Sequence, residues 1–164
     1  MIKDDTQQAI PPDRIGLVLK AACFAADKHR HQRRKDSLKS PYINHPLEVA
    51  ERIWNTGECH DPDVICAAIL HDTVEDTEAT FEELEAEFGK TICDLVREVT
   101  DDKSLPKARR KELQIEHAAH ISPAAKLIKL ADKTSNVKDI HQSPPPDWSL
   151  TRRKEYLDWT AAVV

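Results

Sequence analysis

The 164 residues suffice to bury a hydrophobic core without disulfides or a structural metal, and the length fits a single domain over residues 1–164. The chain has 24 lysines and arginines against 29 aspartates and glutamates, and the net charge of −5 argues against duplex nucleic acid as a partner. No apolar run approaches the roughly 20 residues that span a membrane, and the start MIKDDTQQAIPPD lacks a signal-peptide pattern, so we expect a cytoplasmic protein.

The first half of the chain contains several helix signals. Only 3 glycines occur, and apolar residues recur at spacings of three and four, which predicts an all-α bundle of about seven to eight helices. Residues 32–43 form a predicted loop, and Pro46 marks the first turn of the helix that follows. Residues 61–76 are predicted as one helix, and Thr80 with Glu83 makes a capping box for the next.

The second half continues the helical pattern. Residues 100–106 form a predicted loop, and Ser122-Pro123 opens a helix that runs to Asp139. Three prolines in residues 143–147 make a rigid connector before a last helix over residues 149–163. The four cysteines are widely spaced and are expected to be reduced thiols, mostly in the core: Cys23, Cys59, Cys66 and Cys93.

The clearest functional signal is a polar quartet at the end of the 61–76 helix: His71, Asp72, Glu75 and Asp76. At about 100° per residue, the quartet continues the face that carries apolar residues earlier in that helix, and this face should point inward. Four ionisable groups aimed at the interior are costly unless a cation, partner groups or water compensates them. A divalent metal would resolve the conflict, but one helix cannot supply a complete set of ligands.

Two residues elsewhere are candidates to complete a metal site. His45 lies at the start of a predicted helix, and Asp132 interrupts the apolar stripe of another. Each has an ordinary alternative: His45 as a cap or a core histidine, and Asp132 as the ion-pair partner of Lys129 or Lys133. A His-Asp pair on a helix is also usually a surface pair.

Five motifs between residues 20 and 160 occur in a distinctive order. They are RRKD at 33–36, PYINHPL at 41–47, AILHDTVEDT at 68–77, EVTDDK at 98–103, and KLADK at 129–133 with Asn136. This order resembles the His-Asp (HD) superfamily of metal-dependent phosphohydrolases. Within that superfamily it is most similar to the (p)ppGpp hydrolase domain of RelA/SpoT proteins and to the stand-alone small alarmone hydrolases.

The resemblance implies specific roles. It implies four ligands for a catalytic metal, usually Mn²⁺ in these hydrolases: His45, His71, Asp72 and Asp132. It assigns the orientation and deprotonation of the attacking water to Glu75 and Asp76. It places six residues beside the nucleotide: Arg34, Lys35, Lys107, Lys111, Asn136 and Tyr156. The implied reaction cleaves the 3′-pyrophosphate of (p)ppGpp to give GDP or GTP and pyrophosphate, which ends or tunes a stringent response.

The chain departs from the family pattern at two places. Ser37-Leu38-Lys39-Ser40 replaces a stretch that usually contains a glycine, so we expect the turn that uses its positive φ to be rebuilt. Thr134-Ser135 replaces the usual Leu-aromatic pair before Asn136. No synthetase region accompanies the motifs, so we expect hydrolysis without synthesis.

Other functions remain open at this point. The same metal site could act on another nucleotide, for example by removing the 2′-phosphate of NADPH, because a fold and a metal site do not define a base pocket. A non-catalytic nucleotide-binding sensor is a further alternative, although Glu75 and Asp76 argue against it, since a binding module needs no water-activating pair. The sequence also leaves open whether the protein is a monomer or a homodimer.

Overall fold

The computed structural model describes residues 12–164, and this part of the chain is helical without a β-strand. Its helices are α1 (Pro12–Lys28), α2 (Asn44–Asn55), α3 (Pro62–Leu70), α4 (Thr73–Asp76), α5 (Phe81–Phe88), α6 (Lys90–Val99), α7 (Lys107–Ala118), α8 (Pro123–Gln142) and α9 (Leu150–Val163). Because α4 is a single turn, eight longer helices lie within the described residues, and the predicted all-α bundle is confirmed. The expectation about the first residues concerns 1–11, which lie outside this description.

Most predicted helix starts are capped as the sequence indicates. The hydroxyl of Thr80 accepts a hydrogen bond from the Glu83 amide at the start of α5. The hydroxyls of Ser122 and Ser149 do the same at the starts of α8 and α9. These side chains satisfy amide donors that a helix leaves unpaired in its first turn. Pro46 differs slightly from its prediction, because α2 already begins at Asn44.

The predicted helix over residues 61–76 is interrupted, and the prediction of one continuous helix is wrong. The α3 helix ends at Leu70, and α4 begins only at Thr73. The buried Thr73 hydroxyl donates to the Leu70 carbonyl at 2.7 Å. This carbonyl therefore has a side-chain donor in place of a helical backbone amide. Asp72 adopts φ −99° and ψ −3°, a bridge conformation that is frequent at active sites. The break therefore lies at His71 and Asp72, two of the four residues predicted as metal ligands.

The α3 helix forms the centre of the core. Every residue from Val64 to Leu70 is buried, as expected for a helix that is apolar on all sides. It packs against α1, α2, α6 and α8. The turn that follows α3 is therefore held in place by helices on several sides.

The cysteines are all free thiols, but their predicted place in the core is only partly correct. Cys66 and Cys93 are buried, and Cys59 is half-buried. Cys23 is exposed, because the inner face of α1 is formed instead by Ala21 and Ala25. No helix in the described part of the chain has the length and apolar character needed to cross a membrane.

The loop between α1 and α2 keeps a turn that usually needs glycine. Lys39 has φ 51°, so a lysine adopts the left-handed conformation in the stretch where the family usually has a glycine. The Asp36 carboxylate accepts a hydrogen bond from the Ser40 amide at 3.0 Å, and the Asp36 carbonyl accepts one from the Lys39 amide at 3.2 Å. These bonds compensate the cost of about 1–2 kcal/mol for a left-handed residue with a side chain.

Replacing a core leucine tests how far the bundle depends on close packing. Leu84 on α5 is 0% exposed, and we expect Leu84→Ala to lower the free energy of unfolding by about 2–5 kcal/mol because it leaves a cavity. Leu19→Ala on α1, where the side chain is 61% exposed, should change it by less than about 0.5 kcal/mol. Urea denaturation followed by circular dichroism measures both. Equal losses in the two variants would contradict the assignment of the core.

Candidate metal centre and active-site cleft

The four predicted metal ligands lie close together in the structure. The ligand atoms of His45, His71 and Asp72 all lie within 4.8 Å of one another. Asp132 joins them, because its Oδ1 lies 3.1 Å from His45 Nε2 and 3.9 Å from His71 Nε2. The residues come from the start of α2, the turn after α3, and the middle of α8. Three separate parts of the chain thus supply one cluster.

The hydrogen bonds of His71 fit a metal ligand. Its Nδ1 lies 2.7 Å from the Ala68 carbonyl, which can only accept, so the ring hydrogen is on Nδ1. Its Nε2 is buried and has no hydrogen-bond partner among residues 12–164, although Asp72 Oδ2 lies 3.0 Å away. A buried ring nitrogen that is oriented through its other nitrogen is typical of a histidine that binds a metal.

The charges of the cluster perturb one another. Burial would lower the pKa of His71, but Asp72 and Asp132 outweigh it and raise the pKa to about 9. Burial would likewise raise the pKa of Asp132, but Lys133 and His45 bring it well below its usual range. The carboxylates therefore stay ionised and require positive charge beside them. A divalent cation would supply that charge and displace the proton from His71.

Asp132 has further partners on its own helix. Lys133 Nζ lies 2.9 Å from Oδ2, and Asn136 Nδ2 donates to Oδ1 at 2.6 Å. The ion pair with Lys133, one ordinary interpretation of Asp132 from the sequence, is therefore present. It leaves Oδ1 facing His45, so the ion pair and a metal-ligand role are compatible.

Glu75 is held above the cluster by the loop between α6 and α7. The Asp101 amide donates to its Oε2 at 3.1 Å, and Arg110 Nη1 lies 4.0 Å from its Oε1. Burial raises the pKa of Glu75 to about 7, and the neighbouring carboxylates Asp72 and Asp76 act in the same direction. A carboxylate with this pKa can take up a proton near neutral pH, which is the property of a general base.

Asp76 differs from Glu75 in its hydrogen bonds. Gln32 Nε2 donates to Oδ2 at 3.0 Å, and Lys103 Nζ contacts Oδ1. Both oxygens of Asp76 therefore already accept hydrogen bonds. The geometry separates the two residues that the resemblance treats as a pair: Glu75 is suited to accept a proton, and Asp76 is fixed between two donors.

A small polar cavity of about 180 Å³ surrounds the cluster and adjoins a larger cavity of about 670 Å³. Tyr42, Asp76 and Asn136 line both cavities. All six residues predicted to lie beside a nucleotide line the larger one: Arg34, Lys35, Lys107, Lys111, Asn136 and Tyr156. A cavity of this size accommodates a nucleotide.

The larger cavity combines positive charge with aromatic rings on α9 and the segment before it. Trp148, Tyr156 and Trp159 follow one another, with ring centres 5.7 and 5.3 Å apart. The Arg152 guanidinium lies 4.4 Å from the Trp148 ring, and Lys111 Nζ lies 4.7 Å from the Trp159 ring. Basic groups of this kind bind phosphates, and flat rings stack on bases.

Several residues of the site have no role in the sequence-based interpretation. The Tyr42 hydroxyl donates to Asp72 Oδ2 at 2.5 Å, although the sequence shows only that Tyr42 belongs to the motif containing His45. Trp148 and Arg152 line the larger cavity beyond the proline connector. No motif in the sequence marks Trp148 and Arg152, although they contact each other within the segment that follows the prolines.

Comparisons with known proteins agree with this geometry. The sequence profile of a family described as HD domain matches residues 21–158. The chain is 55% identical over 148 residues to guanosine-3′,5′-bis(diphosphate) 3′-pyrophosphohydrolase MESH1 of Xenopus tropicalis, covering 90% of this chain and 83% of that protein. It is 54% identical over 147 residues to the protein of the same name from Homo sapiens, with coverages of 90% and 82%.

A solved structure adds evidence for the fold. It is described as a metazoan ortholog of SpoT that hydrolyses ppGpp and plays a role in starvation responses, and it superposes with a TM-score of 0.89 at 47% identity. The match covers 94% of this chain and 85% of that one. The chain therefore belongs to the HD domain family, in the branch that contains the MESH1 proteins.

Proposed function

We propose that this protein is a metal-dependent hydrolase of (p)ppGpp that releases pyrophosphate and leaves GDP or GTP. One observation carries the proposal: the cluster of two histidines and two aspartates adjoins a basic cavity of nucleotide size, in a chain 55% identical to a MESH1 pyrophosphohydrolase. Removal of this nucleotide would end or tune a stringent response. A cytoplasmic location agrees with the four free cysteines.

His45, His71, Asp72 and Asp132 would hold a divalent metal, for which we propose Mn²⁺. The Nε2 atom of His71 faces Asp72 and Asp132, which supports this role, and a set of imidazoles and carboxylates without thiolates suits Mn²⁺. When bound, the metal lowers the pKa of a coordinated water and neutralises charge on the phosphates.

Glu75 takes the proton from the attacking water in this proposal. Its raised pKa and its position beside the cluster support the assignment. The water oxygen bonds to the phosphorus that is attached to the ribose 3′-oxygen. The bond between that phosphorus and the 3′-oxygen then breaks, and the ribose leaves as the alcohol after taking up a proton. Asp76, with both oxygens already bound, orients the water rather than deprotonating it.

The walls of the larger cavity would bind the rest of the nucleotide. Lys107 and Lys111 are suited to the phosphates. Arg34, Lys35, Asn136 and Tyr156 line the same cavity and are suited to the base and ribose, because they combine planar groups with hydrogen-bond donors.

Replacing Glu75 tests the catalytic proposal. The purified protein with Mn²⁺ should hydrolyse ppGpp, and Glu75→Gln should lower kcat by about 10²- to 10⁴-fold with little change in KM, because the amide cannot accept the proton. Glu78→Gln is the matched control, since that side chain is 72% exposed and should keep normal activity. Anion-exchange chromatography separates substrate and products.

The same assay includes pppGpp, NADPH and cyclic dinucleotides, with Asp72→Ala as an inactive reference. Cleavage of one of these while ppGpp survives would show that the substrate is different. Binding of ppGpp without turnover by the wild-type protein would show a sensor and not an enzyme.

Metal titration tests the ligand set directly. We expect Mn²⁺ to stabilise the wild-type protein by about 2.7 kcal/mol at a hundredfold excess over its Kd, because the ion binds only the folded state. His71→Ala should lose this stabilisation, whereas His120→Ala, at an exposed position, should keep it. Thermal unfolding and isothermal titration calorimetry give both quantities. A similar Mn²⁺ affinity in wild type and His71→Ala would exclude His71 as a ligand.

Charge on α7 should govern substrate binding. Lys111→Met removes an ammonium group from the cavity wall, and we expect KM for ppGpp to rise about 10- to 100-fold with kcat nearly unchanged, because a charge-assisted hydrogen bond is lost. Lys154→Met, at an exposed position on α9, is the matched control. Steady-state kinetics separate the two constants. A fall in kcat at constant KM would place Lys111 at the reacting phosphate instead.

A further inference from the structure

A chain of hydrogen bonds connects a buried histidine to one of the site carboxylates. His29 is 2% exposed, and its Nδ1 lies 2.6 Å from Gln32 Oε1. Gln32 Nε2 lies 3.0 Å from Asp76 Oδ2. The proposed metal, water and nucleotide roles include neither His29 nor Gln32, although Gln32 lines the larger cavity beside Asp76.

The direction of each hydrogen bond follows from the chemistry of the groups. An ionised carboxylate only accepts, so the amide nitrogen of Gln32 faces Asp76. The amide oxygen then faces His29, which must donate from Nδ1. Turning the amide over would place oxygen against oxygen at Asp76, so one orientation satisfies all three side chains.

Gln32 is itself held on both sides. Its backbone amide donates to the His29 carbonyl at 2.9 Å, and its carbonyl accepts a hydrogen bond from the Tyr42 amide at 3.2 Å. The His29 ring also packs against the Tyr42 ring, with centres 4.8 Å apart. The side-chain amide that contacts Asp76 is therefore positioned by the hydrogen-bonded backbone of Gln32 and by the packed ring of His29.

Asp76 has little support from its own helix. It is the last residue of α4, which has only 4 residues, and such a short helix is marginal by itself. Its other side-chain contact is Lys103, whose flexible side chain is 48% exposed. Gln32 is therefore the more rigid of the two groups that determine where the carboxylate of Asp76 lies.

We propose that Gln32, oriented by His29, is a positioning residue that holds the Asp76 carboxylate in its working position beside the metal cluster. The inference rests on the proposed function, because it assigns Gln32 an effect on the same hydrolytic step. Gln32 acts through Asp76, and its loss displaces the carboxylate without removing a metal ligand. Displacements of about 1 Å in a site can reduce the rate about 10²-fold.

A double-mutant cycle between Gln32 and Asp76 tests this role. Gln32→Met keeps the length of the side chain and removes both of its hydrogen bonds. We expect kcat to fall about 10- to 100-fold, with KM and the Kd for Mn²⁺ within twofold of wild type. In an Asp76→Ala background the same substitution should change kcat by less than twofold, because its target is gone. Gln142→Met, exposed near the end of α8, is the control and should match wild type.

Several outcomes would overturn the inference. Equal losses of kcat in both backgrounds would show that Gln32 acts independently of Asp76, and a raised KM at normal kcat would make it a substrate contact. Unchanged kinetics would remove any role. If Gln32→Met does not fold, Gln32→Glu retains an acceptor for His29 but opposes Asp76 with a second carboxylate, and it should show the same loss of kcat.

A second measurement does not depend on activity. In nuclear magnetic resonance spectra of the Mg²⁺-loaded protein, the Gln32 side-chain amide should give one proton shifted downfield by its bond to Asp76. Asp76→Ala should remove this shift, and Asp76→Asn should reduce it. A Gln32 amide that does not respond to Asp76→Ala excludes the contact. An inactive wild-type protein that still shows the contact would refute the proposed function alone, while an active protein without the contact would refute this inference alone.

Discussion

The burial of two carboxylates and two imidazoles at the end of α3 is the constraint on which the rest of the site depends. His45 and His71 are only 3% and 5% exposed, so their environment gives little solvation to the charges beside them. The protein compensates with donors directed at the carboxylates: Lys133 and Asn136 at Asp132, and the Tyr42 hydroxyl at Asp72. A divalent cation at the centre of the cluster would complete the balance, which is the physical basis of the proposed metal site.

Different helices form the cluster and the larger cavity. The cluster residues come from α2, the turn after α3, and α8, which belong to the tightly packed centre. The larger cavity is bounded by α7 and α9, which pack against each other, and α7 has no buried residue. The geometry of the proposed metal ligands is thereby fixed by the core, while the outer helices supply the polar surface proposed for the nucleotide. This arrangement separates the requirement for precise ligand positions from the requirement for substrate specificity.

The sequence predicts the helices and their starts well, because serine and threonine caps act over a few residues. It does not predict the break after Leu70, because the break depends on a hydrogen bond from the Thr73 hydroxyl to the Leu70 carbonyl. The inward direction of the quartet is predicted from the periodicity of one continuous helix, although the structure breaks that helix at His71 and Asp72. The ion pair of Asp132 with Lys133 leaves Oδ1 facing His45, an arrangement that periodicity cannot show. The contact between Gln32 and Asp76 joins residues 44 positions apart, so no local pattern contains it. Roles assigned through the family resemblance stay predictions until the variants are measured.

The aromatic wall of the larger cavity has a practical consequence. The chain contains 3 tryptophans, and two of them, Trp148 and Trp159, line this cavity beside cationic side chains. Indole emission is sensitive to stacking and to nearby charge, so a nucleotide bound in the cavity as proposed would change the environment of two of the three tryptophans at once. Trp54 lies elsewhere, packed against His60, and serves as an internal reference. The proposed nucleotide site would thus contain its own optical reporter of occupancy, without a chemical label.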